Sequence, residues 1–291
     1  SHLPPRGPNG NVEVMLEYTW DGRPAKSIYK GEHVLIQNAR AKQASDSLNL
    51  EANGIQLLWY PTTLNHADFY NDQQKVQSTY YAEVCEAVKS VTGAAKVVAF
   101  HHNVRNKQKL GGRGSCEDGL GGSVLAYDAL VHNDYTPESA AATFRWQLSL
   151  LGLSDTNLER YEFGEYMLIN AWRNIDGSAP VQNNHLALCD GASLHMGDML
   201  PGDMLCEDYN SVNFSEELVG ATLNRLSSWR HTWFYFPSMQ KPELLLFKCY
   251  DSNPRSRVRV TAHCSFEDPA AESCATCTRK SIDVRTIAFF P

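Results

Sequence analysis

Long apolar runs are missing from this chain of 291 residues. No stretch approaches the roughly 18 uncharged residues that a membrane-spanning helix needs. Basic runs are missing as well. The formal charge is −7, and that balance argues against nucleic acid as a partner. The eight cysteines (85, 116, 189, 206, 249, 264, 274 and 277) follow no regular framework. Without a secretory signal they read as free thiols in a cytoplasmic setting rather than as disulfides. Cys274-Ala-Thr-Cys277 is a lone C-x-x-C, without the second pair that a zinc site wants. Ser1-His2 and the Leu-Pro-Pro-Arg-Gly-Pro that follows offer no apolar signal-peptide core. Residues 1–10 therefore read as a processed or tag-derived start, ahead of a single domain over 11–291. The glycines between Gly111 and Gly122 lack the Gly-Lys-Ser/Thr ending of a phosphate loop. A connection that covers a site is the better account of them. No internal repeat and no linker stands out.

What is present is mostly strand signal. Val12–Leu16 and Gly54–Trp59 are short alternating or apolar runs between polar turns, a β-rich opening. Val76, Tyr80, Val84 and Val88 then recur every fourth residue, one helical stripe, with Gly93 as the stop. Lys96–Phe100 reads as a buried strand leading into His101 and His102. Adjacent strand residues face opposite ways, so at most one of these histidines can share a site. Thr136, Pro137 and Glu138 are helix-start residues in the right order, and the helix should run through Ala140–Leu151 to Gly152. Strand-like runs follow at Tyr166–Trp172, Thr232–Phe236, Glu243–Tyr250, Val258–His263 and Ser281–Phe290. A few helices and many strands predict a mainly β fold, a jelly roll or cupin-like double-stranded β-helix with helices packed against it.

The chemistry concentrates in Val124–Asp134, an apolar run that ends in His132-Asn-Asp134. Read as a strand, it points the imidazole and the carboxylate to one face. A second histidine would complete a 2-His-1-carboxylate set for a divalent metal, with positions left open for substrate and oxygen. A strand running into a polar turn is the bland alternative. Of the downstream histidines, His185 lies in an Asn-rich turn, His195 in a loop, and His231 ahead of an aromatic strand. His263 ends an alternating run and is the preferred third ligand, because a strand-borne ligand is held more rigidly. On the last strand Arg279, Ser281, Asp283, Arg285, Ile287 and Phe289 share a face. An inward arginine needs a balancing charge, and a dicarboxylate co-substrate supplies one through a bidentate pair. Arg285 is favoured slightly over Arg279, since Ile287 and Phe289 beyond it could form a substrate wall. Asn170 and Arg173, and less so Arg105, Tyr235 and Lys248, are further polar candidates.

Seven ordered blocks carry a resemblance: Val97–Arg105, Val131–Thr136, Ile169–Arg173, Leu186–Asp190, Phe234–Pro237, Leu245–Ser252 and Arg279–Arg285. Together they resemble the fungal AsaB-type hydroxylase/desaturase family, which takes in CmcJ-like proteins, gibberellin desaturases and the aziridine-forming TqaL-type oxygenases. His101 stands where that family commonly has Asp, and Asn174 where Pro usually follows the Trp-Arg pair. The resemblance implies a non-haem Fe(II) oxygenase that takes 2-oxoglutarate and O2 as co-substrates. It implies His132, Asp134 and His263 as iron ligands, and Arg285 or Arg279, with Ser281, as the holder of the co-substrate's far carboxylate. It implies oxidation of an unactivated C–H of a small molecule in secondary metabolism, by hydroxylation, desaturation or cyclisation. Aziridine formation on a branched amino acid such as valine is one such outcome. A zinc hydrolase or isomerase using the same ligands, and a binding protein without activity, are the competing readings. Oligomeric state is silent in the sequence.

Overall fold

β-Branched and aromatic residues fill the extended segments, and tertiary packing gathers them into two sheets. The computed structural model describes residues 7, 9–19, 29–45, 47–109, 124–125, 127–152, 161, 163–202, 220–223, 225–271 and 279–291. Most of residues 1–10, the Gly111–Gly122 stretch and Cys274–Cys277 lie outside these, and so do the expectations attached to them. The described strands are β1 Val12–Thr19, β2 Tyr29–Asn38, β3 Ile55–Trp59, β4 Lys96–Arg105, β5 Val124–Leu125, β6 His132–Asn133 and β7 Tyr166–Asn174. They continue as β8 His185–Cys189, β9 Met199–Gly202, β10 Gly220–Leu223, β11 Trp233–Tyr235, β12 Glu243–Asp251, β13 His263–Phe266 and β14 Ser281–Phe289.

One sheet has the order β3-β12-β7-β14-β4-β5 and the other β1-β2-β11-β8-β13-β6-β10-β9. Apart from the pairs β1-β2, β4-β5 and β9-β10, neighbours in both sheets are non-consecutive, the mark of a jelly roll. Between the sheets lie Leu57, Leu168, Trp172, Leu245 and Phe247 from the first, and Leu186, Leu188 and Phe234 from the second. Each large apolar side chain so buried contributes about 1.5–3 kcal/mol. The outer face of the first sheet is covered by the helix Tyr81–Thr92 and the π-helical turn Val76–Tyr80 before it. Val76, Tyr80, Val84 and Val88 are all fully buried there, and Gly93 closes the helix at φ +69°. β1 folds back across the second sheet, where Val131 donates its N–H to the Glu17 carbonyl at 3.0 Å. That fold encloses a second pack of Leu16, Tyr18, Trp233, Tyr235 and Cys264.

Two strand expectations need correction. Val124–Asp134 is not continuous: among its described residues, only Val124–Leu125 and His132–Asn133 are strand. The Asp128 carboxylate accepts the Leu130 N–H at 3.0 Å, and such a local bond competes with the ladder. Residues 258–262 are irregular too, and His263 begins a strand rather than ending one. Their backbone is satisfied from other directions: Lys248 Nζ takes the Val258 carbonyl at 2.9 Å, and Thr261 N–H donates to the Lys248 carbonyl at 2.9 Å. The helix Pro137–Gly152 forms as the sequence predicts, with Ser139 N–H donating to Thr136 Oγ1 at 3.2 Å.

Candidate metal centre

β6 and β13 pair antiparallel with His132 directly opposite His263, and their ring centroids are 4.2 Å apart. Opposed side chains on neighbouring strands are the nearest neighbours a sheet provides. Asp134 projects to the same side, with Oδ1 3.7 Å from His132 Nε2 and 4.0 Å from His263 Nε2. The three donor atoms lie within 4.8 Å of one another, and no other such His/Cys/Asp/Glu group occurs among the described residues. Asn133, between the two β6-side donors, anchors the turn by donating Nδ2–H to the carbonyls of Tyr135 at 2.8 Å and Cys249 at 2.9 Å.

The protonation states suit metal ligation. His132 donates Nδ1–H to the Leu130 carbonyl at 2.7 Å, which leaves the Nε2 lone pair turned inward. Burial, with the His132 ring beside it, pushes His263 well below the usual imidazole range. Burial alone would raise Asp134, but the Arg285 guanidinium, the two imidazoles and Asn170 together hold it well below the usual carboxylate range. The donor set is two imidazole nitrogens and one carboxylate oxygen, which matches a first-row divalent ion with open positions. The far oxygen of Asp134 is already engaged: Oδ2 accepts Asn170 Nδ2–H at 2.7 Å and Arg285 Nε–H at 3.2 Å. Only Oδ1 remains to face the histidines.

The free space at the triad is about 30 Å³, walled by Asn170, Trp172, Arg279 and Arg285 among others. Arg279 is 3 % exposed. Burial, then Arg105 nearby, lowers it to about 9, so it stays charged at neutral pH. Its NH1 donates to the Asn184 carbonyl at 2.7 Å and to Ser265 Oγ at 3.3 Å. Its Nε and the Ser281 hydroxyl, both buried, have no hydrogen-bond partner among the described residues. Asp283, in the same cavity, pairs with Arg105 at 3.5 Å.

Several residues singled out by sequence stand elsewhere. Arg173 faces the helix side of its strand, where Nε donates to Tyr80 OH at 2.9 Å, NH1 to the Lys241 carbonyl and NH2 to the Tyr60 carbonyl. Alternation puts it opposite to Asn170 and Trp172, so it cannot reach the cavity. Ile287 and Phe289 face the interior as fully buried core residues, with Phe289 5.9 Å from Phe144 and 5.6 Å from Tyr161 between ring centroids. Lys248 is buried against Asp251, and Tyr235 OH donates to the Gly10 carbonyl. Of the histidine pair, His102 faces outward to Tyr81 and Gln73, 2.8 Å from each. His101 lies opposite Arg285 in the β4–β14 register. Burial, then Arg285, pushes it down to about 3. Trp172, Phe247 and Ser265 in the cavity wall were not singled out by sequence; alternation from Asn170 alone would have found Trp172.

Two histidines and a carboxylate gathered inside a double-stranded β-helix define the class of mononuclear non-haem metal oxygenases. The comparisons with known proteins agree. A family model described as "Oxidoreductase/YMDC permease-like domain" matches residues 6–289. "Alpha-ketoglutarate-dependent dioxygenase tstK" of Talaromyces stipitatus is 31 % identical over 84 % of this chain and 81 % of its own. "Hydroxylase/desaturase efuI" of Hormonema carpetanum is 29 % identical over 90 % of this chain and 85 % of its own. A solved structure of the "iron and alpha-ketoglutarate-dependent endoperoxidase NvfI" shares the fold with a TM-score of 0.73, at 23 % identity, over 96 % of this chain and 97 % of that one. The chain belongs to this family of fungal Fe(II)/2-oxoglutarate-dependent dioxygenases and hydroxylase/desaturases. It is an oxidoreductase, and the zinc-hydrolase and binding-protein readings fall away. No helix among the described residues is long and apolar enough to cross a membrane.

Proposed function

We propose that His132, Asp134 and His263 hold Fe(II), and that Arg279 with Ser281 receives the far carboxylate of 2-oxoglutarate. The observation that carries the reading is the convergence of the three donors with Asp134 Oδ1 as the shared vertex. When bound, iron with 2-oxoglutarate and O2 supplies an oxidant strong enough to take hydrogen from an unactivated C–H, the keto acid leaving as succinate and CO2.

The chain's own residues do the positioning. His132 is held in one tautomer by Leu130, and Asp134 presents one oxygen because Asn170 and Arg285 occupy the other. Arg285, favoured by sequence for the co-substrate, is bonded to a metal ligand. Its Nε is thereby committed to the Asp134 carboxylate. Arg279 lines the same cavity from farther along and carries a guanidinium edge without a partner among the described residues. A bidentate pair with a carboxylate would complete it. Ser281, two residues on at the start of β14, offers a hydroxyl in the same state. Trp172 and Phe247 wall the cavity and keep bulk water from it.

The substrate is a small molecule of secondary metabolism, and the outcome is hydroxylation, desaturation or oxidative cyclisation. Aziridine formation on valine loses the support of Ile287 and Phe289, which are core residues here. The free thiols of Cys85, Cys189, Cys249 and Cys264 support a cytoplasmic setting. Purified protein given Fe(II), 2-oxoglutarate and air should release succinate, and Asp134→Ala should abolish that release. Equal succinate from Asp134→Ala would remove the proposed ligand set.

A further inference from the structure

Two aromatic rings lie against the guanidinium of Arg279. The centroid of the Tyr127 ring lies 4.4 Å from its guanidinium carbon and that of Trp172 at 5.6 Å. Tyr127 also donates its hydroxyl to the Arg279 carbonyl at 2.6 Å, so one side chain grips the same residue at both its backbone and its charged end. The remaining contacts are neutral acceptors. The Asn184 carbonyl is aimed at NH1 from a left-handed backbone conformation, φ 52°, which a non-glycine residue seldom adopts without local support. Tyr127 is not in the wall of the metal cavity. It lines a neighbouring cavity of about 430 Å³ with Val14, Phe266 and Pro269. Its ring therefore backs the guanidinium from outside the cavity that holds the triad.

We propose that Tyr127 is a positioning residue for the co-substrate: it orients Arg279 toward the far carboxylate without touching the dicarboxylate itself. The inference rests on the reading that Arg279 receives that carboxylate. A buried guanidinium on a flexible stem has many rotamers, and holding it in one before the ligand arrives removes an ordering cost from binding. The aromatic face attracts the charge without neutralising it, as a carboxylate partner would. The hydroxyl latch restrains the backbone just ahead of β14, on which Ser281 and Arg285 also lie.

The experiment is calorimetric titration of the Fe(II)-loaded protein under argon with 2-oxoglutarate, and separately with 2-oxovalerate, which lacks the far carboxylate. Tyr127→Leu should raise the Kd for 2-oxoglutarate about tenfold, within the range that cation–π contacts span between exposed and desolvated sites. It should leave the Kd for 2-oxovalerate unchanged. In turnover its KM for 2-oxoglutarate should rise in parallel while kcat stays within about twofold. Tyr127→Phe, which keeps the ring and loses one hydrogen bond, should raise that Kd about threefold. It also keeps the proposal testable if the leucine variant does not fold. Arg279→Leu separates the two readings. If it weakens 2-oxoglutarate binding while both Tyr127 variants bind like wild type, the role given to Tyr127 is overturned and that of Arg279 stands. If Arg279→Leu leaves binding unchanged, the reading of Arg279 itself is overturned. Equal weakening toward both keto acids would place the effect of Tyr127 at the metal end and overturn the proposal.

Discussion

Asn170 donates its Nδ2–H to Asp134 Oδ2 across 2.7 Å, from the middle of β7 to the residue just past β6. One carboxylate oxygen is thereby committed to the protein, and the other is left for a metal. Outer partners of this kind typically contribute 10- to 100-fold in metal affinity. Asn170→Ala should weaken Fe(II) binding by about that factor, read by competition with a chelator of known affinity. The fold should survive, because thermal melting reports the sheets rather than this one bond.

Arg285 shares that oxygen at 3.2 Å and is the largest influence holding Asp134 ionised against its burial. Arg285→Leu leaves the carboxylate with only Asn170 as a donor. Fe(II) affinity should fall, while the KM for 2-oxoglutarate measured at saturating iron moves little. A large rise in that KM with unchanged iron affinity would return the co-substrate to Arg285.

Lys248 and Asp251 form an ion pair of 2.7 Å with side chains 2 % and 1 % exposed. Lys248 also holds Ser256 and the Val258 carbonyl, at the head of the irregular segment that delivers His263. Lys248→Met leaves Asp251 buried without its partner and should cost about 3–5 kcal/mol in urea unfolding. The double variant Lys248→Met with Asp251→Leu should recover most of that, since the unpaired charge is what costs. No recovery would show that the geometry of the segment, rather than the charge, is what the pair protects.

Asp176 accepts from Lys280 Nζ at 2.7 Å, at the point where the chain enters β14. Burial raises the carboxyl, but the Lys280 and Ser178 hydrogen bonds outweigh it and hold it at about 2, down from 3.8. The folded value is below the unfolded one. The stabilisation is therefore fully present above the unfolded value and is lost as pH falls toward about 2. Urea midpoints of wild type and Asp176→Asn should differ most near neutral pH and converge at the acid end. A difference that persists unchanged at pH 2 would rule out the ion pair as its cause.

Much of this protein was legible in order along the chain. The stripe Val76, Tyr80, Val84 and Val88, the Thr136-Pro137-Glu138 start and the alternating β14 run are local patterns, and each has its expected element. His132 and Asp134, two residues apart, needed only strand geometry. His263 was reached by elimination and by rigidity, although the run before it is not a strand. The errors have one origin. Which of several arginines meets which carboxylate depends on positions far apart in sequence, and alternation gives a face without saying what already fills it. Ile287 and Phe289 do face inward, but both belong to the packed core, and Phe144 and Tyr161 arrive from elsewhere to cover Phe289.

Residue order alone determined the fold class, the ligand types and the family, because these follow from local periodicity and from short blocks that persist along the chain. Only the tertiary structure decided the division of labour among the charged side chains. Arg285 was drawn to Asp134, Arg279 was caged by Tyr127 and Trp172, and Arg173 was turned to the far side of the sheet. The reason is that a buried charge takes whatever partner packing brings within reach, and that partner is set by strands which the sequence does not place side by side.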